Sequence, residues 1–177
     1  MSKRADAIYS IGHSTRTIED FIALMKAYKV EMVVDVRTIA GSTHNPQYNE
    51  ETLRKSLSKY NISYIRMIGL GGLRHTSKKS INTAWKNASF RGYADYMQTP
   101  EFREGIQKLI TIAKEKQTVI MCAEAVPWRC HRSLIGDALV VRKIKVVDII
   151  TDKSNMLHKI TPFARVKGHT ITYSVVK

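Results

Sequence analysis

Within the twelve residues of MCAEAVPWRCHR, Met121 to Arg132, the chain gathers two cysteines, a glutamate, a tryptophan, a histidine and two arginines. A plain turn requires none of them, and each belongs to a type that does chemistry. Cys122, Cys130, His131 and the distant His13 are zinc-ligand types. Zinc ligands, however, usually come in pairs two to four residues apart, whereas these cysteines are eight apart and Cys130 adjoins His131. The expectation is therefore no metal and no cofactor.

Thiol catalysis is the next possibility. Cys122 at a strand end, a loop, and Arg129 at a helix start loosely resemble the phosphate loop of cysteine phosphatases and the active-site loop of rhodaneses. The loop is one residue too long, and Val126 and Trp128 are bulky where backbone amides would have to close round an anion. The plainer alternative for either cysteine is a small buried hydrophobe. Carboxylates offer a third chemistry. Asp35 follows MVV and Glu124 follows VIMCA, so two acids would reach one sheet edge among His13, His131, Arg37 and Arg132. Burial raises a carboxyl pKa and nearby cations lower it, so such a pair can divide into an acid and a base. Simple pairing of Asp35 with Arg37, or of Glu124 with Arg132, is the competing structural explanation.

These residues converge only if the fold carries them together. Ala7 to Ile11 and Glu31 to Val36 read as short β-branched strands, with Ile18, Phe21, Ile22, Met25 and Tyr28 at helical spacing between them. Thr17 can cap that helix, with Asp20 three residues on. A helix from about Asn49 to Tyr60 and a strand from Ile62 to Ile65 follow. Met67 to about Phe90 loses all periodicity and reads as a long loop. Thr99 and Pro100 then open a helix, Thr118 to Met121 is a strand, Cys130 to Val141 a helix, and Lys145 to Ile150 a strand. Two alternating stretches around Lys167-Gly168-His169 could form a C-terminal β-hairpin.

Strands alternating with helices predict an α/β fold: a single domain over residues 1–177, with a largely parallel sheet and helices on both faces. Ligands in such sheets bind beyond the carboxyl ends of the strands. That rule selects Gly12 to Arg16, Asp35 to Arg37 and Cys122 to Arg132.

Composition suggests a partner. Lysine and arginine number 29 against 15 acids, a formal charge of +14, and the excess clusters in Met67–Thr99 and Lys153–Lys177. A basic surface of this size fits a polyanion, most directly nucleic acid. Ser14, Arg16, Arg37, Arg74, Arg91, Arg129 and Arg132 are the candidate phosphate contacts, and Trp128 the candidate base-stacking residue. Two cysteines cannot make a disulfide framework, no stretch approaches a membrane span, and no export signal is visible, so a soluble, cytoplasmic protein is expected. The sequence leaves oligomeric state open.

The segments IGHSTRTIEDF, VVDVRTIAGSTHNPQYN, IGLGGLR, FRGYADYM and MCAEAVPWRCHRSLIGDAL resemble the signature blocks of the prokaryotic domain of unknown function 488 family. The resemblance runs from about Ile8 to Ile150 and leaves residues 153–177 as a basic extension. Some relatives of archaeal type are associated with DNA glycosylase activity on oxidised pyrimidines. The resemblance thus implies base excision repair of a damaged pyrimidine, oxidised or deaminated, in DNA, with RNA not excluded as substrate. On it, Asp35 or Glu124 would stabilise the sugar cation or activate water, and His13 or His131 would bond the leaving base. Two alternatives stay open: a thiol-dependent enzyme using Cys122 or Cys130, and a nucleic-acid-binding module without catalysis.

Overall fold

The structure is a computed structural model, and it describes residues 7–175. Five strands run parallel: β1 (Ile8–Gly12), β2 (Met32–Asp35), β3 (Ser63–Arg66), β4 (Thr118–Cys122) and β5 (Val146–Ile149). A short sixth, β6 (Asn155–Leu157), adds antiparallel to β5, giving the order β3-β2-β4-β1-β5-β6. The connections are helical: α1 (Ile18–Ala27), α2 (Glu50–Ser58), α3 (Ala88–Tyr96), α4 (Pro100–Glu115) and α5 (Arg132–Val140). Strands β7 (Arg165–Lys167) and β8 (Thr170–Thr172) form the expected C-terminal hairpin, turning at Gly168 with φ +62°.

Local chemistry explains the helix starts. Thr17 Oγ1 accepts from the Asp20 amide, and Thr99 Oγ1 accepts from the Phe102 amide with Pro100 just inside the helix. Asn87 Oδ1 accepts from the Ser89 and Phe90 amides, which starts α3 inside the stretch expected to be loop only as far as Phe90.

Side chains alternate across each strand, so the sheet has two cores. Ile11, Val33, Val119 and Met121 pack with Phe21, Met25, Leu53 and Leu57 under α1 and α2. Val34, Val36, Ile120 and Cys122 pack with Tyr93, Ile106, Leu134 and Leu139 under α3, α4 and α5. Helices therefore cover both faces. The C-terminal segment is no loose appendage: Ile171 and Tyr173 are buried in the second core, and Tyr173 clasps the 71–87 loop through Asn82 and Ala84. Among the described residues, no helix is long and apolar enough to cross a membrane.

Connections after β2 and β4 leave in opposite directions, β2 toward β3 at one edge and β4 across β1 toward β5. Neighbouring parallel strands that part in this way open a crevice at their carboxyl ends.

Candidate functional site

A pocket of about 340 Å³ occupies that crevice. Arg37, Thr38 and Ile39 from beyond β2 form one side, and Cys122, Ala123, Glu124, Arg129, Cys130 and His131 from beyond β4 form the other. Gly72 and Leu73 from the long loop, with Ser89, Phe90 and Tyr93 of α3, close the third. Two glycines fix its walls. A β-carbon on Gly12 would lie 1.7 Å from the Glu124 carbonyl oxygen, so only glycine lets β1 pass beneath the 123–125 loop. A β-carbon on Gly72 would press to 3.1 Å from His131 Nδ1.

The mouth is apolar and exposed. Ile39 is 68% and Leu73 71% accessible, and Leu73 is held at φ +56°, a left-handed conformation that favours glycine or asparagine over leucine. Holding a non-glycine residue in that conformation costs roughly 1–2 kcal/mol, and such residues cluster at functional sites.

Glu124 is the pocket's only carboxylate, because strand parity sends Asp35 to the other face. Asp35 is fully buried and saturated. Arg37 donates to it through Nε (2.9 Å) and Nη2 (2.6 Å), the Arg37 amide donates at 3.1 Å, and the Tyr64 hydroxyl at 2.5 Å. His13 lies beside this pair, not in the pocket. Its ring stacks on Tyr48 at 4.0 Å, its Nδ1 donates to the Ser14 carbonyl, and its Nε2 accepts from Arg37 Nη1 at 3.3 Å. Burial, reinforced by the Arg37 charge, lowers its pKa to about 4, so it is neutral at neutral pH. Asp35, Arg37, His13 and Tyr48 thus form a closed buried network that sets the position of Arg37, the member that reaches the pocket wall.

The floor carries the thiols. Cys122 Sγ and Cys130 Sγ are in contact at 2.6 Å, and Arg132 Nε donates to Cys122 Sγ at 2.9 Å. The other guanidinium nitrogens of Arg132 donate to Ser10 Oγ and the Glu124 carbonyl, both at 2.7 Å. Arg132 is 2% exposed, and none of the ion pairs among the described residues includes it. Burial opposes ionisation of both thiols. At Cys130 the hydrogen bond from Cys122 and the Arg132 charge outweigh it and bring the pKa to about 6, while Cys122 stays well above its ordinary value. His131 donates from Nε2 to the Val36 carbonyl at 2.8 Å and turns Nδ1 toward Cys130 Sγ, 3.6 Å away. Burial lowers its pKa as well.

No solved structure and no curated protein matches this chain, but residues 17–139 match the family described as Domain of unknown function DUF488. The chain belongs to that family. The match covers more than half of the sequence and includes β2 to β4 with every pocket residue.

For this family member the sequence-predicted residues divide sharply. Arg37, Glu124, Arg129 and His131 meet at the pocket; Asp35 and His13 lie behind it. Trp128, 58% exposed, lines a separate cavity with Trp85, Phe163 and His158, so it faces away from the pocket in which it was expected to stack. Arg132 is enclosed beneath the loop. Arg16 donates to the Ile150 carbonyl, Arg91 to the Trp85 carbonyl, and Arg74 to the Gly71 and Ile68 carbonyls while lying 3.7 Å over the Tyr96 ring. These three arginines hold loops. Ser14 uses its carbonyl to orient His13. The phosphatase comparison also changes, because Arg132 and not Arg129 meets Cys122. The Arg129 and Cys130 amides close a tight turn on Val126 and Pro127 and so are not aimed at an anion. Sequence reasoning missed Ile39 and Leu73, which no periodic pattern marks. Among the described residues, no three His, Cys, Asp or Glu side chains group to hold a metal ion.

Proposed function

We propose that this protein is a DNA glycosylase that removes a damaged pyrimidine, with the pocket between β2 and β4 receiving the flipped base. The observation that carries this reading is the mouth: two exposed aliphatic side chains, one on strained backbone, flank a cavity with aromatic walls and a single carboxylate. Enzymes acting on a base must take it out of the stack, and apolar wedges fill or pry the gap it leaves. Ile39 and Leu73 suit that wedge. Phe90 and Tyr93 offer faces against which a ring can pack, and the volume lies within the roughly 300–1,000 Å³ of small-molecule sites.

Glu124 then faces the sugar. Its carboxylate stabilises the oxocarbenium character that develops as the glycosidic bond breaks, or orients the attacking water. Arg37 has four of its five N–H groups held by Asp35, Tyr48 and His13, and its remaining Nη1 N–H is the donor for a pyrimidine carbonyl on which charge grows as the base leaves. Arg129 at the rim, and the net charge of +14, draw the phosphate backbone.

The test is incubation with end-labelled duplexes that each carry one oxidised or deaminated pyrimidine, followed by alkali to reveal abasic sites. Cleavage at one lesion is expected, with Glu124→Gln at least about 100-fold slower, the scale of losing one transition-state charge partner. Leu73→Ala should lose more activity on duplex than on single-stranded substrate, because only the duplex needs a wedge. Full activity in Glu124→Gln, or no cleavage of any lesion by the parent protein, would overturn the assignment.

A further inference from the structure

The thiol pair on the pocket floor has no part in the excision chemistry, yet its surroundings are those of a reactive centre. Arg132 is a buried cation whose donors meet one sulfur and two neutral oxygens. Leaving a guanidinium buried without an anion is strongly unfavourable, and a thiolate at the adjoining sulfurs offsets that cost. The two sulfurs touch, so they can hold one proton between them. Both cysteines also line the pocket, which admits a small solute to atoms otherwise enclosed.

We propose that Cys122 and Cys130 form a redox-active dithiol that reduces hydroperoxides entering the pocket, with Cys130 as attacking thiolate and Cys122 as resolving thiol. Cys130 Sγ attacks the terminal peroxide oxygen, the O–O bond breaks, and Cys130 becomes a sulfenic acid. The departing alkoxide takes the proton of Cys122 and leaves as an alcohol. Cys122 thiolate then attacks Cys130 Sγ, the S–O bond breaks, hydroxide departs, and a Cys122–Cys130 disulfide remains. Two electrons pass from the thiols to the peroxide, so one turnover needs no further reductant. The Arg132 backbone N–H donates to Cys130 Sγ at 3.5 Å, and the Arg132 guanidinium beside Cys122 Sγ sits where a displaced charge would form.

The experiment uses the full chain, reduced and desalted without oxygen, then mixed with stoichiometric hydrogen peroxide and sampled with time. Expected is an intramolecular disulfide, read as loss of two hydrogen masses and of both thiols reactive after denaturation. The thiolate fraction favours Cys130 over free cysteine by about 30-fold at neutral pH, and lower nucleophilicity takes back about 10-fold or more of this, so the rate should exceed that of free cysteine by about 2- to 3-fold. Cys122→Ser should stop at a sulfenic acid on Cys130 that dimedone traps, and Cys130→Ser should react no faster than free cysteine. A parent rate equal to free cysteine, dimedone labelling at Cys122 in Cys130→Ser at the parent rate, or only intermolecular disulfides would overturn the proposal. No nucleic acid enters this assay, so its result is independent of the excision activity.

Discussion

Raising the pH from 7 to 9 should loosen the fold through one histidine behind the site. His158 Nε2 lies 2.9 Å from Asp137 Oδ1 on α5, and its Nδ1 lies 3.5 Å from Asp148 Oδ2 on β5. Asp137 also accepts from the Tyr173 hydroxyl and the Thr161 amide, so this cluster ties the C-terminal segment to the helix that carries Arg132. Burial works against charge on His158, but the hydrogen bonds and charges of the two aspartates outweigh it and raise the pKa from 6.5 to about 9. A folded pKa above the unfolded one means that the native state binds the proton more tightly. The resulting stabilisation is complete below pH 6.5 and is lost as pH rises through 9. Integrating the linkage gives roughly 3 kcal/mol in full, of which about 2 kcal/mol disappears between pH 7 and 9. The assay is urea unfolding at both pH values for the parent and for His158→Asn. Every other ionisable group is common to both proteins, so the difference between the two isolates His158. The parent should lose about 2 kcal/mol more than the variant over this interval. Equal losses would refute protonation of His158 as a contributor to stability.

Two further outcomes separate positioning from chemistry. Asp35→Asn leaves Arg37 buried and undercompensated and should lower unfolding free energy by about 3–5 kcal/mol in chemical denaturation; an unchanged midpoint would show that the pair contributes nothing. Gly12→Ala should cost about 2–4 kcal/mol, because the added carbon must push the 123–125 backbone by more than its own contact tolerance. Amide chemical-shift changes should centre on Cys122 to Ala125, and a shift pattern confined to β1 would contradict this contact.

Local signals made most of the fold readable. Short apolar, β-branched runs marked the parallel strands, and Thr17 and Thr99 marked two helix starts through hydroxyls that do cap there. Helix α3 was obscured because Gly92 interrupts it. A β-carbon there would lie 2.2 Å from the Arg74 carbonyl oxygen, a tertiary demand that overrides helix propensity and is invisible locally. Strand β6 has three exposed residues and carries no pattern at all. The candidate site was half legible for a related reason. Chain order tells which loops reach the carboxyl edge, but which face a side chain takes there depends on strand parity and on what packs above. Val33 and Asp35 share the α1/α2 face, Ile120 and Cys122 the opposite one, and two acids that look adjacent on the edge are divided by the sheet.

Counter-ions then give three arginines of similar appearance different work. Arg37 is neutralised by Asp35 at 2.6 Å and held again by the Tyr48 carbonyl and His13, so it meets a ligand as a rigid donor and not as an unanswered charge. Arg129 is exposed and lines the same pocket as Glu124, and in the proposed function it is the cation that would follow a phosphate. Arg132 faces only sulfur and neutral oxygen, and on the proposed dithiol reading its charge would be answered where the thiols share a proton. On the proposed readings, binding, steering and thiolate stabilisation in one pocket would follow from what each guanidinium is paired with, which is a property of depth and register and not of the Arg-Cys-His-Arg sequence itself.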